Sequence, residues 1–163
     1  LLDSIKKDYQ NLSKIIVING PGSFTGIRTG ITAAKVLGLS LKLPVCGISL
    51  FELLRINYLK TKPKKNLKFF IKLNKYNYFT QNVNKSGKES EIILESFGVN
   101  LQYKSKEVDL VFLDNISVKN ISRKVNDKEE IITINDLFNK TFKDLTNLSE
   151  KKYIPSPIYV KTF

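Results

Sequence analysis

The segment best suited to chemistry is Gly20-Pro21-Gly22-Ser23-Phe24-Thr25-Gly26. It follows Lys14 to Asn19, whose core Ile15-Ile16-Val17-Ile18 is purely aliphatic, and it leads into a long stretch of helical periodicity. A strand that turns through glycines into a helix gathers backbone N–H groups at the positive end of the helix dipole, a geometry that binds anions. The spacing here is Gly-x-Gly-x-x-x-Gly. It is not the dinucleotide Gly-x-Gly-x-x-Gly, and no Gly-Lys-Ser/Thr follows to make a P-loop. The residues favour a tight turn in which the Ser23 or Thr25 hydroxyl caps the helix.

Other reactive side chains are scattered. Ser23 and Ser49 lie outside any Gly-x-Ser-x-Gly, and the chain has no histidine to activate them. Without histidine there is no Ser-His-Asp triad, imidazole base or His-ligated metal. No metal-ligand cluster is evident, and no catalytic residue is assigned. Lys35 reads as a helix surface charge, Cys46 as a small buried residue, and Glu52, Asp109 and Asp114 as isolated carboxylates. Tyr76, Tyr78 and Phe79, interleaved with Lys72 and Lys75, could stack single-stranded RNA, but an alternating strand with one buried face fits them better.

The elements that position these residues follow from periodicity. Leu1 to Tyr9 reads as the end of a helix with Leu1, Leu2 and Ile5 on one side. Lys14 to Asn19 suits a strand buried on both faces. A helix is expected from Thr25 to Leu41, then a strand over Pro44 to Ser49, then a helix opening at Ser49 or Leu50 and running through Phe51, Leu54 and Tyr58. Further strands are expected at Leu67–Leu73, Tyr76–Val83, Glu91–Leu94, Val108–Leu113 and Glu130–Ile134. Asn135 or Asp136 is expected to cap a last helix with Phe138, Phe142 and Leu145 on one face, and the prolines at 155 and 157 force an extended tail. The pattern is α/β. Residues 1–57 form an N-terminal lobe, 58–66 a Lys-rich linker, and 67–163 a smaller C-terminal α/β lobe with its tail.

The first long helix has an unusual composition. Gly26, Gly30, Ala34 and Gly38 recur every four residues and share an arc with Ile27, Ile31, Leu37 and Leu41, while Arg28, Thr32, Lys35 and Lys42 fall opposite. Each interior glycine costs about 1 kcal/mol against alanine. Packing must compensate, either inside the lobe or against a helix of another protein.

Composition bounds the rest. The 163 residues are 42% apolar, enough for a core, and carry a formal charge of +12. That balance suits a polyanionic partner. The 24 Lys against 3 Arg, with 15 Asn, equally suit a codon bias that fills any surface with lysine. One cysteine excludes an internal disulfide. No run approaches the length of a membrane helix and no secretory leader opens the chain, so no membrane partner and a cytoplasmic location are expected. The absence of methionine suggests a truncated or fragmentary chain, with a reduced version from a small genome as the alternative.

The run Gly20-Pro-Gly-Ser-Phe-Thr-Gly-Ile-Arg-Thr-Gly-Ile-Thr-Ala-Ala-Lys-Val-Leu-Gly, then Leu43-Pro-Val and Gly47-Ile-Ser-Leu-Phe-Glu-Leu-Leu, resembles the signature of the bacterial TsaB (YeaZ) family. Pro157-Ile-Tyr-Val-Lys is similar to that family's close. The resemblance implies an actin/Hsp70/sugar-kinase (ASKHA) fold, with the N-terminal lobe incomplete because the family's opening strands are missing here. It implies a non-catalytic subunit needed for threonylcarbamoyl transfer to the tRNA adenosine beside the anticodon, binding and stabilising the TsaD-type transferase. A TsaE-type ATPase joins the pair, a homodimer forms when the subunit is alone, tRNA is met through the complex, and ATP and metal sit on partner subunits rather than on this one. By analogy the partner interface is Gly26, Ile27, Gly30, Ile31, Ala34, Leu37, Gly38 and Leu41 with Leu1, Leu2 and Ile5. The signature loop is Gly20, Pro21, Gly22, Ser23, Phe24, Thr25, Gly26 and Arg28. Two readings stay open beside it: a stand-alone basic RNA-binding module and a nucleotide-binding phosphotransferase-like protein.

Overall fold

The structure, a computed structural model, describes residues 8–61, 65–74, 76–96, 108–114, 129–148 and 155–160. The chain divides into two compact units. The first comprises Leu1–Leu50 and Asp144–Tyr159, the second Phe51–Lys143 and Val160–Phe163. This differs from the expected boundary at 57. The helix that opens at Leu50 runs on to Thr61 and counts with the second unit, and the next strand starts at Asn66, so the expected linker is structured at both ends.

In the first unit, β1 (Ile15–Ile18) pairs in parallel with β2 (Val45–Ile48), in register Ile15↔Val45 to Ile18↔Ile48. A parallel pair needs a crossover. Here it is α1 (Phe24–Leu41), which packs on both strands. α1 starts where Ser23 accepts the Gly26 N–H at 3.4 Å and ends at Lys42, whose left-handed backbone (φ 56°) returns its N–H to the last turn. The extended segment 155–160 crosses the loop before α1, and the Ile158 N–H donates to the Asn19 carbonyl at 2.8 Å. The Lys14 ammonium donates to the Leu148 carbonyl at 2.6 Å, a cation placed at carbonyls left open after a helix.

The second unit holds a mixed five-stranded sheet in the order β5-β4-β3-β6-β7. Its strands are β3 (Asn66–Lys72), β4 (Asn77–Val83), β5 (Ile93–Ser96), β6 (Val108–Asp114) and β7 (Glu129–Thr133). β3 is antiparallel to β4 and parallel to β6, and β7 is parallel to β6. The β3–β4 connection is set by Asn74, whose side-chain oxygen accepts the N–H groups of Tyr76 and Asn77. On one sheet face Phe70 stacks on Phe112 with centroids 4.5 Å apart, and Tyr78 meets both rings edge-on. On the other face Tyr58 of α2 (Leu50–Thr61) packs on Phe69. Burial pushes the Tyr58 phenol far above its ordinary value, and neighbouring Glu130 adds to the shift, so it stays neutral.

The last helix, α3 (Ile134–Thr146), begins before the candidates Asn135 and Asp136, and its cap is Thr133. The Thr133 hydroxyl accepts the Asp136 N–H and donates to the Asp136 carboxylate. Its buried stripe is Leu137, Thr141 and Leu145, whereas Phe142 is 65% exposed, which corrects the expected Phe138–Phe142–Leu145 face. Thr141 joins the buried stripe because its hydroxyl donates to the Leu137 carbonyl and so needs no water.

Candidate functional site

The glycine loop and α1 form one unit of structure. Gly20 has φ +129°, and a Cβ there would lie 3.1 Å from the Ile158 carbonyl oxygen, so both conformation and space require glycine. Ser23 is a helix cap rather than a nucleophile. Ile27 reaches back toward Gly20 and Gly22, closing the loop on the helix that follows it.

At the start of α1 three side chains meet across the sequence. The Arg28 guanidinium carbon lies 3.9 Å from the Phe24 ring centroid and 5.7 Å from that of Tyr159. Arg28 Nε donates to the Tyr159 hydroxyl at 2.8 Å, and the two rings are 5.5 Å apart. Stacking on the rings and the hydrogen bond fix the plane of the guanidinium. The sequence placed Phe24 and Arg28 in the signature loop, but Tyr159 is 131 residues from Arg28, and only the resemblance at the chain's end hinted at it.

The expected interface residues do not form one open face. Ile31, Ala34 and Gly38 are buried, and Gly30 is half-buried beside Val17 of β1. A Cβ on Gly38 would overlap Val45 of β2 and lie 3.0 Å from the Leu43 carbonyl. The small-residue arc therefore serves the close approach of α1 to its own sheet, which corrects the reading of that whole arc as a partner surface. Ile27 and Leu41 are half-buried, Gly26 and Leu37 are exposed, and Leu1, Leu2 and Ile5 lie outside the described residues.

Of the open side of α1, only Gly26 and Leu37 were among the expected interface residues. Val36 is 59% exposed beside exposed Thr29, Ala33 and Ser40, with Gly26 and Leu37 at one edge of this arc and Leu39, 84% exposed, at the other edge next to Lys35. No charge interrupts this arc, and α1 holds no acidic residue at all. Val36, Leu37 and Leu39 leave apolar side chains open to solvent on this helix. The signal that could have found it is the absence of charge at 29, 33, 36, 37 and 40.

The other candidates resolve simply. Cys46 is fully buried and Lys35 exposed. Glu52 accepts two bonds from Arg55, and Asp109 pairs with Lys65 at 2.9 Å. Asp114 ends β6, and its side chain lies outside what the structure describes, as does Lys75. The aromatic trio makes no platform. Phe79 is 8% exposed, Tyr78 packs on the Phe70–Phe112 stack, and only Tyr76 is exposed. Among the described residues no group of three His, Cys, Asp or Glu could hold a metal, and no helix is long and apolar enough to cross a membrane.

Comparison with known proteins bears on this geometry. The family described as TsaD, tRNA N6-adenosine threonylcarbamoyltransferase, matches residues 1–69. A tRNA threonylcarbamoyladenosine biosynthesis protein TsaB from Bacillus subtilis is 47% identical over 57 residues, 35% of this chain and 25% of the relative. The TsaB protein of Buchnera aphidicola is 43% identical over 54 residues, 33% of this chain and 26% of the relative. The matched segments thus span about a quarter of either relative. Two solved structures share the mixed α/β fold. YeaZ from Pseudomonas aeruginosa has a TM-score of 0.57 at 16% identity, covering 98% of this chain and 80% of that one. A protein from the same organism, with similarity to peptidase YEAZ, has a TM-score of 0.58 at 15% identity, covering 98% and 79%. The resemblance read from the glycine loop and its helix is borne out.

Proposed function

Taking this chain as TsaB-like through its glycine loop and first helix, we propose that it is an accessory subunit of the machinery that places threonylcarbamoyl on a tRNA adenosine. Its work in this reading is to bind and hold the TsaD-type transferase, in the cytoplasm, without supplying a catalytic group. ATP and metal belong to the partner subunits, and a TsaE-type ATPase joins the assembled pair.

One observation carries the reading: the uncharged, solvent-facing arc of α1 with Val36, Leu37 and Leu39 open. Burying such an arc against a second helix yields about 25 cal/mol per Å² of apolar surface, and the glycine, alanine and serine beside it let the helices approach closely. Without the transferase, the same arc of a second copy can take its place and give a homodimer.

The test is co-purification of this chain with the TsaD-type protein of its own organism, comparing wild type with Ala33→Glu and Val36→Glu. Both positions are exposed, so the substitutions leave the fold intact. A complex with wild type that is lost in both variants supports the reading. A complex that survives both refutes the assignment of the arc, and no complex with folded wild type refutes the accessory role.

A further inference from the structure

A second exposed face of α1 differs from the uncharged arc. Arg28 and Lys35 of α1 lie seven residues apart, nearly two helical turns, so they follow one another along a single stripe, and Lys42 stands just past the helix as its left-handed cap. All three are exposed. Among the described residues none has a carboxylate partner, and the described residues of this unit include only Asp8 and Asp144 as acids. Arg28 and Lys35 are about 10.5 Å apart along the axis at 1.5 Å per residue.

The stripe begins at the aromatic head. Phe24 is 54% exposed and Tyr159 52%, so both offer open ring surface. Arg28 lies over the Phe24 ring and is bonded to Tyr159 through Nε, and its Nη groups have no acceptor among the described residues. A guanidinium ordered in advance loses less freedom when it meets a phosphate. Rings with open faces, next to a fixed guanidinium and a line of ammonium groups, match a ligand that alternates flat bases with anionic phosphates. A duplex hides the faces of its bases, so the ligand must be single-stranded. An acidic protein surface would answer the cations but would give the head nothing to stack.

We propose that this stripe binds single-stranded RNA directly: an unpaired base stacks on the Phe24–Tyr159 head while the backbone phosphates run past Arg28, Lys35 and Lys42. The proposal needs no partner protein; the transferase reading rests on the neighbouring arc around Ala33 and Val36, and Leu39 borders both.

The experiment is fluorescence anisotropy of a short, unstructured, fluorescein-labelled RNA titrated with the whole chain at several salt concentrations. The wild type binds and weakens steeply as salt rises from about 50 to about 200 mM. Lys35→Glu with Lys42→Glu weakens binding at least roughly ten-fold and flattens the salt slope by about 1 for each phosphate no longer neutralised. Phe24→Ala weakens binding roughly ten-fold but leaves binding of an abasic RNA of the same length unchanged. Circular dichroism confirms that each variant is folded. The proposal is overturned if the double lysine variant binds like wild type, if Phe24→Ala weakens the abasic RNA equally, or if polyglutamate competes as well as RNA, which would assign the stripe to an acidic protein.

Discussion

The two units treat their charges in opposite ways. In the five-stranded sheet Lys68, its side chain 6% exposed, donates to both carboxylate oxygens of Glu95, at 2.6 and 2.9 Å, and the Thr80 hydroxyl donates to the same carboxylate. Arg55 is held by Glu52 and Glu89, and Lys65 by Asp109. By contrast, Arg28 and Lys35 on α1 and Lys42 at its cap have no carboxylate among the described residues, and Val36 and Leu39 stand open. A region that satisfies itself contributes stability. A region left unsatisfied is available to something else, and that is where binding is to be sought.

This contrast can be broken most severely in the sheet. Phe112→Ala removes one ring of the buried stack and is expected to cost about 3–5 kcal/mol, read as a lower urea midpoint, whereas Phe142→Ala, at a 65% exposed site, should stay within about 0.5 kcal/mol of wild type. Next is Lys68→Ala, which strands the Glu95 carboxylate and should cost about 3 kcal/mol. Lys35→Ala, the same change on the open stripe, should leave the midpoint nearly unmoved. The helix glycines give a smaller and two-signed test. Gly38→Ala drives a methyl group into Val45 and should cost about 1–3 kcal/mol, while Gly26→Ala, with only Ser23 in ordinary contact, should gain about 0.5–1 kcal/mol of helix propensity. Equal effects at 26 and 38 would mean that α1 does not lean on its own sheet as described.

Much of this was legible in the residues. Strong periodicity set β1, α1, β2, β3 and β4 close to where they lie, because aliphatic runs, a serine cap and flanking prolines act locally. The small-residue arc was visible too, but not what it packs on. Steric economy is the same whether a helix meets its own sheet or another protein, and only the positions of Val17 and Val45 decide between them. The stripe of α3 was misread because phenylalanine outweighs threonine on any hydropathy scale, while a hydroxyl that bonds to its own helix can be buried without loss. The meeting of Phe24 and Arg28 with Tyr159 could not be read, since it joins residues from opposite ends of the chain.

In the proposed function the uncharged arc of α1 is the surface that meets the transferase. Size-exclusion chromatography with light scattering tests it most directly, on this chain mixed with its TsaD-type transferase, beside the Val36→Glu variant. The account predicts a 1:1 complex for wild type and two separate peaks for a folded Val36→Glu. A complex of the same mass and yield with the variant would contradict it.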